Sequence, residues 1–307
     1  MGDLVSLFAS QDQALQSSIH AVWDSYYGAR DSGADPFYAA VRVASTVDRL
    51  GLAFAAGYSA ALEHLIPEVI LPCALCVTEA DGNHPRAIKA SLKASNAGSG
   101  YTLDGTKTFV TFGNMAKTLI VAARVGEQSD GKPELAVVSI PADREGVSLN
   151  ELPAIPFVPE IPHARVEFHD VQVDEGERMS GDGYLVYVKP FRTVEDIHVF
   201  ATASAYLLGL AKRCAGPADW MSELCALIAT LDRLRAAPPL DPGVHVALHG
   251  AIENLSRLMS RDEFSKLWED APAEERARWE RDRKLLQVAS TAREARFRKA
   301  ASQLGLC

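Results

Sequence analysis

The chain has 307 residues, 48% hydrophobic and 23% charged, with a formal net charge of −9. It is long enough to bury a core in two or three cooperating domains, and too acidic to suit a polyanionic nucleic-acid partner. Its five cysteines, odd in number and scattered, argue for reduced thiols rather than a disulfide framework. No long apolar run occurs, and Met1-Gly2-Asp3-Leu4 lacks a basic stretch ahead of an apolar one. Neither a membrane span nor a secretory signal is therefore expected, and a cytoplasmic setting is.

Leu15, Ile19, Val22, Trp23 and Tyr26 recur at the spacing of one buried helical stripe, which predicts an N-terminal helix. After the break at Ser32-Gly33-Ala34-Asp35-Pro36, an Ala-rich helical pattern runs from Phe37 to Leu65 and is closed by Pro67 and Pro72. The middle third changes period. Ile88–Ser95, Tyr101–Leu103, Thr106–Val110, Leu119–Val125 and Leu135–Ile140 are short β-branched or alternating runs. Asp104-Gly105 between two of them reads as a two-residue hairpin, and Ala97-Gly98-Ser99-Gly100 as another turn. Beyond Tyr184 helices return, over Val199–Lys212, Trp220–Leu234, Val244–Met259 and Glu274–Leu304. The order predicts an α+β fold of segregated layers: an N-terminal helical segment over 1–70, a central β-domain over 71–184 and a C-terminal helical domain over 185–307.

Two motifs in the β-region carry chemical meaning. Cys76-Val77-Thr78-Glu79-Ala80-Asp81-Gly82-Asn83-His84 is followed by Asp104-Gly105-Thr106-Lys107-Thr108-Phe109-Val110-Thr111-Phe112-Gly113. Later come Pro141-Ala142-Asp143-Arg144-Glu145-Gly146-Val147, Val166-Glu167-Phe168-His169-Asp170-Val171-Gln172-Val173 and Ser180-Gly181-Asp182-Gly183-Tyr184. In this order they resemble the central β-domain of acyl-CoA dehydrogenases, most strongly over residues 70–184. The resemblance implies an acyl-CoA dehydrogenase-like fold, shortened and divergent, with FAD as cofactor. It further implies a flavin slot formed by Cys76, Val77, Thr78, Gly82 and Asn83 on one side and by Phe109 and Thr111 on the other. Phe109 would be the aromatic wall behind the ring, and Thr111 the hydroxyl near its reactive nitrogen. Gly82 would let backbone approach the ligand. Taken singly, each of these residues is ordinary β-domain structure.

The chain also departs from the family pattern. Ala80 stands where a Pro is expected, His84 where an Asp is usual, and Asn83 in place of a Ser. The family's Arg-x-x-Phe-Gly segment and Gly-Gly turn, which hold the adenine half of FAD, have no counterpart after Arg213. Its proton-abstracting Glu has none either. Trp268-Glu269-Asp270 lies in the corresponding region, yet an acidic pair ahead of a helix reads first as N-terminal charge bias, so no catalytic residue is assigned.

Other constellations favour structure over chemistry. Cys73-x-x-Cys76 has no second pair to complete a metal site. His245, His249 and Glu253 share a helix face, but no second element offers a further ligand, so no metal is expected. Residues 276–299 hold nine basic and three acidic residues, read as a solvated, paired terminal helix in preference to an anion site for a CoA-type phosphate or an acidic partner. No Gly-x-Ser-x-Gly elbow, P-loop or Rossmann fingerprint occurs.

Three functions remain open at this point. The first is an acyl-CoA dehydrogenase-like, flavin-dependent oxidoreductase acting on an acyl thioester or another small molecule. The second is a catalytically degenerate subunit or ligand-binding protein on this fold. The third is a flavin-dependent monooxygenase, which would not need the missing Glu. Self-association, or pairing with a subunit of the same family, is expected; nucleic acid and membrane are not expected as partners.

Overall fold

The computed structural model describes residues 14–95, 99–129 and 131–306. These divide into a β-rich unit, Leu65–Ala154 with Ile161–Arg192, and a helical unit made of the described residues up to His64, Ile155–Glu160 and those from Thr193 on.

The β-rich unit is one seven-stranded sheet. Its strands are β1 (Cys73–Cys76), β2 (Ser91–Ala94), β3 (Tyr101–Thr111), β4 (Thr118–Glu127), β5 (Pro133–Pro141), β6 (Val147–Glu151) and β7 (His163–Val173). They run β1-β4-β2-β3-β7-β6 across the sheet, with β5 paired to β4 off that path. Pairing is antiparallel except for β4 with β1 and with β2. Both faces are covered. Leu119, Val121 and Ala123 of β4 join one apolar cluster with Cys76, Val110, Ala164 and Phe168, whereas Ile120 and Ala122 join a second with Val77, Ile88, Tyr187 and Val188. Two-sided burial explains why this strand reads as a continuous apolar run rather than an alternating one.

Several local readings of the sequence are corrected. Asp104-Gly105 is not a hairpin: β3 runs through it, with a register shift between Leu103 and Gly105 and with Gly105 at φ 138°. A Cβ there would lie 2.5 Å from Ala90 Cα, so glycine serves a bulge and a close backbone approach, not a chain reversal. The turn expected at 97–100 falls partly outside the described residues; among those described, Ser95 N–H donates to the Gly100 carbonyl at 3.0 Å. The strand expected over 88–95 is confined to β2; before it, the Lys89 and Ala90 N–H groups bond to the Glu79 carboxylate instead of to a neighbouring strand. β6 was not anticipated; its side chains are mostly exposed, so no apolar alternation marks it.

In the helical unit the elements are α1 (Ile19–Asp31), α2 (Pro36–Ala44), α3 (Leu50–Leu65), α4 (Lys189–Arg213), α5 (Ala218–Arg235), α6 (Pro242–Met259), α7 (Asp262–Asp270), α8 (Ala273–Asp282) and α9 (Ser290–Gln303). Ile19, Val22, Trp23 and Tyr26 are buried as expected, but Leu15 precedes α1 and is 46% exposed. The helix expected from Phe37 to Leu65 is two helices. Ser45 and Thr46 hydroxyls bond back to Arg42 and Val43 carbonyls, and the released backbone pairs with Gln16 on both sides of Val47. That local competition ends α2. The helix expected over 274–304 is also broken, by a 3₁₀ turn at Arg283–Gln287 and by Ala289 in the left-handed region. A further helix, α7, lies ahead of the one expected from 274, and Trp268-Glu269-Asp270 form its last turn, just before α8 begins at Ala273. α4 is longer than expected and is entered through a π-helical turn, Gly183–Val188.

Candidate functional site

Cys76 ends β1, and its side chain joins the first apolar cluster. Burial pushes its thiol up to about 12, against the nearby Lys107 ammonium, so it behaves as a small apolar residue. Val77 turns into the second cluster. Thr78 docks the strand end onto β3: its carbonyl accepts Thr108 N–H at 2.9 Å.

The turn that follows is closed on itself. Glu79 N–H donates to the Gly82 carbonyl, and Gly82 N–H donates to the Glu79 carbonyl, both at 2.9 Å. Gly82 sits at φ 105° with open space around its missing Cβ, so glycine is required there by conformation. Its backbone groups are already used within the turn. Asn83 is exposed, and its carbonyl accepts from Arg192 at 3.5 Å. The His84 side chain caps the 3₁₀ turn, Nδ1 accepting Arg86 N–H at 3.3 Å.

A buried ion pair fixes this turn against the sheet. Lys107, wholly buried in β3, donates from Nζ to Glu79 Oε1 at 2.7 Å and to the Ala122 carbonyl at 2.6 Å. Glu79 also accepts Lys89 N–H at 2.7 Å and Ala90 N–H at 3.1 Å. Burial lowers the ammonium's hold on its proton, and the Glu79 carboxylate opposes that loss.

The far end of β3 is irregular in two places. A register shift between Lys107 and Val110 sets Thr108 and Phe109 opposite one residue of β7, Arg165. Such a bulge re-aims side chains. Phe109 is consequently 42% exposed, although its neighbours Lys107 and Val110 are buried. Past Thr111, Phe112 is buried at φ 59°, a strained setting for an aromatic residue, held by its N–H to the Pro162 carbonyl at 2.8 Å. Thr111 pairs with His163 in the register, one step after Val110 pairs with Ala164. Val110 and Ala164 belong to the buried cluster, so period-two alternation turns Thr111 and His163 to the other face. Phe109 stacks on the His163 ring there, with centroids 4.1 Å apart.

Phe109, His163 and Thr111 thus make a flat, partly exposed platform with a hydroxyl beside it, and this fits a planar heteroaromatic ring. In the 79–82 turn the Glu79 and Gly82 N–H groups are already used within the turn. On the same unit His84, Arg86, Gln128, Lys132, Asp182, Tyr184 and Leu185 line a cavity of about 520 Å³. Arg86 and Lys132 line its rim, and its one carboxylate, Asp182, accepts Tyr184 and Leu185 N–H at 2.9 and 2.8 Å. His163 and this cavity had escaped the sequence reading. A lone His at the head of a strand carries no spacing signal.

Candidates outside the β-rich unit are held by structural contacts. His245 Nε2 lies 3.0 Å from the Pro239 carbonyl and 3.3 Å from Thr193 Oγ1. His249 stacks on Phe297 at 3.7 Å. Both histidines and Glu253 line a cavity of about 630 Å³ with residues of α9. Between 276 and 299 six of the seven arginines are paired with acids: Arg278 with Asp48, Arg281 with Asp282, Arg283 with Glu280, Arg293 and Arg296 with Asp196, and Arg298 with Glu294. Glu269 is exposed near the C-terminal end of α7, where the helix dipole does not favour a carboxylate.

Comparison with known proteins accords with this architecture. Residues 74–171 match the family model of the acyl-CoA dehydrogenase middle domain. No curated protein matched the chain at the sequence level. Among solved structures, butyryl-CoA dehydrogenase from Megasphaera elsdenii superposes with a TM-score of 0.65 at 16% identity, covering 92% of this chain and 85% of its own. Apo-form PigA gives a TM-score of 0.66 at 14% identity over 100% and 97% of the two chains, and PigA is also known as an FAD complex. Acyl-CoA dehydrogenase from Geobacillus kaustophilus gives 0.60 at 16% identity over 89% and 83%. The resemblance read from residues 70–184 is borne out, and the chain has the acyl-CoA dehydrogenase fold with that family's middle domain over residues 74–171.

Proposed function

We propose that the chain is a divergent flavin-dependent protein of the acyl-CoA dehydrogenase type, whose flavin ring lies on the Phe109–Thr111 face and whose substrate is an acyl thioester. The observation that carries this reading is the bulge that exposes Phe109 on the same face as Thr111, beside the strand end at Thr78. A bound flavin would supply hydride acceptance. Phe109 would cover one face of the ring, and Thr111 would offer a hydroxyl at its edge. Elsewhere on the same unit, by the β4–β5 turn, Arg86 and Lys132 line a cavity that suits the phosphates of a CoA-type thioester.

A second reading is favoured by the carboxylates. Glu79 already accepts three donors, and Asp182 caps the turn that leads into α4. Neither is free to take an α-proton. A partner-dependent or catalytically degenerate subunit would need no such base, whereas a general base typically contributes about 10²–10⁴-fold to rate.

One experiment separates the two. Purified chain is titrated with FAD by flavin fluorescence and absorbance, then mixed anaerobically with butyryl-CoA. Saturable FAD binding supports the flavin reading, and a colourless protein that ignores FAD removes it. Bleaching of bound flavin within seconds would establish a competent dehydrogenase and overturn the degenerate reading; flavin binding with slow or no bleaching supports it.

A further inference from the structure

His163 heads β7 and faces Thr111 across the β3–β7 pairing. Only 6% of its surface is exposed, and its imidazole lies under the Phe109 ring at 4.1 Å with an interplanar angle of 26°. Its Nδ1 is buried and makes no hydrogen bond of good geometry, the Ile161 backbone giving it only partial compensation. A buried polar nitrogen left unpaired destabilises a fold, and an aliphatic or phenyl side chain would fill the same space without that cost. Burial also drives the imidazole pKa down to about 4, against an opposing interaction with the Ile161 backbone, so the ring is neutral near pH 7 and stacks as a flat heteroaromatic face.

Phe109 needs such support. The bulge that turns it outward removes its packing on the strand's own face, and a partly exposed Phe free to change rotamer would have to be ordered by every ligand that lands on it. The His163 stack leaves one ring orientation in place before binding. Phe112, bonded to Pro162, ties the end of β3 to the residue just before His163 and fixes the geometry of the pair.

We propose that His163 is a positioning residue of the flavin face, holding the Phe109 ring flat as the wall on which the isoalloxazine stacks. The proposal rests on the flavin reading above and names a residue that reading does not use.

Its test compares FAD affinity of the full chain with that of His163→Ala and His163→Phe. Alongside, a 4-fluorophenylalanine placed at position 109 reports the stack by ¹⁹F NMR without flavin. A stacked aromatic pair contributes enough that His163→Ala should weaken FAD binding about tenfold. His163→Phe, which restores a flat partner, should bind FAD nearly as the parent does. The fluorine resonance should shift and broaden in His163→Ala and stay sharp in His163→Phe. Equal FAD affinity in parent and His163→Ala overturns the proposal while leaving the flavin reading intact. A parent chain that binds no flavin overturns that reading, and the fluorine resonance then decides whether His163 holds Phe109: no change in His163→Ala means it does not. If His163→Ala fails to fold, His163→Gln, polar but unable to stack as a ring, takes its place with the same expected loss.

Discussion

Lys107 Nζ and Glu79 Oε1 meet at 2.7 Å where the lysine has no exposed surface at all. The pair joins the 79–82 turn to the middle of β3, and so holds together the two segments that frame the candidate site. Removing one partner leaves a buried charge without compensation, which typically costs about 3–5 kcal/mol. Lys107→Ala and Lys107→Met are both expected to lower the unfolding free energy measured in urea by an amount in that range. A loss under about 1 kcal/mol would mean that Glu79 is satisfied by the Lys89 and Ala90 amides alone.

Acid should destabilise the protein below neutrality. Burial is the largest cause that holds His198 down to about 3 and His163 to about 4, whereas an unfolded His titrates near about 6.5. Between those values the unfolded chain binds more protons, so stability rises with pH across the window. It is complete above about pH 6.5 and is lost as pH falls through the interval, by at most about 1.4 kcal/mol per pH unit for each histidine. His198 lies under Phe37 and His64, with Nδ1 bonded to the Val194 carbonyl at 2.7 Å and Nε2 unpartnered. Urea unfolding at pH 7, 6 and 5 should show a shallower slope for His198→Phe than for the parent; identical slopes would remove His198 from the account.

Gly57 decides how closely α3 approaches α4. A Cβ at that position would stand 2.5 Å from Thr202 Oγ1 and 3.1 Å from the His198 carbonyl. Alanine gains about 1 kcal/mol in helix propensity over glycine, but the overpacking typically costs about 1–3 kcal/mol, and backbone atoms cannot swing aside. Gly57→Ala is therefore expected to lower the thermal midpoint. Gly250, in α6 with nothing near its missing Cβ, is the control: Gly250→Ala should raise it slightly.

If a flavin ring lies on the Phe109 face, Phe109→Ala should weaken FAD binding by about 1–3 kcal/mol through loss of an apolar wall. Folding should be little changed, because the side chain is 42% exposed. Equal FAD affinity for this variant and the parent would place the ring elsewhere.

The sequence already carried the helix–β–helix order, the short β-branched runs of the middle strands and the ordered motifs from Cys76 to Gly113, since each depends on local period or on neighbouring residues. It also carried the stripe of α1 from Ile19 to Tyr26 and the reading of Cys76 as a packing residue. The tertiary structure alone decided the rest. Gly105 suits a turn and a bulge equally well, and only the approach of Ala90 selects the bulge. Ser45 and Thr46 are compatible with a helix until Gln16 takes the backbone groups beside Val47. Phe109 alternates with its neighbours as a buried residue would, and the extra residue opposite Arg165 turns it out. His163 belongs to no motif and acquires a role only because antiparallel pairing sets a distant strand against Thr111. Local propensity and period are written along the chain, whereas register, bulges and close approach are settled by which partner the folded backbone meets.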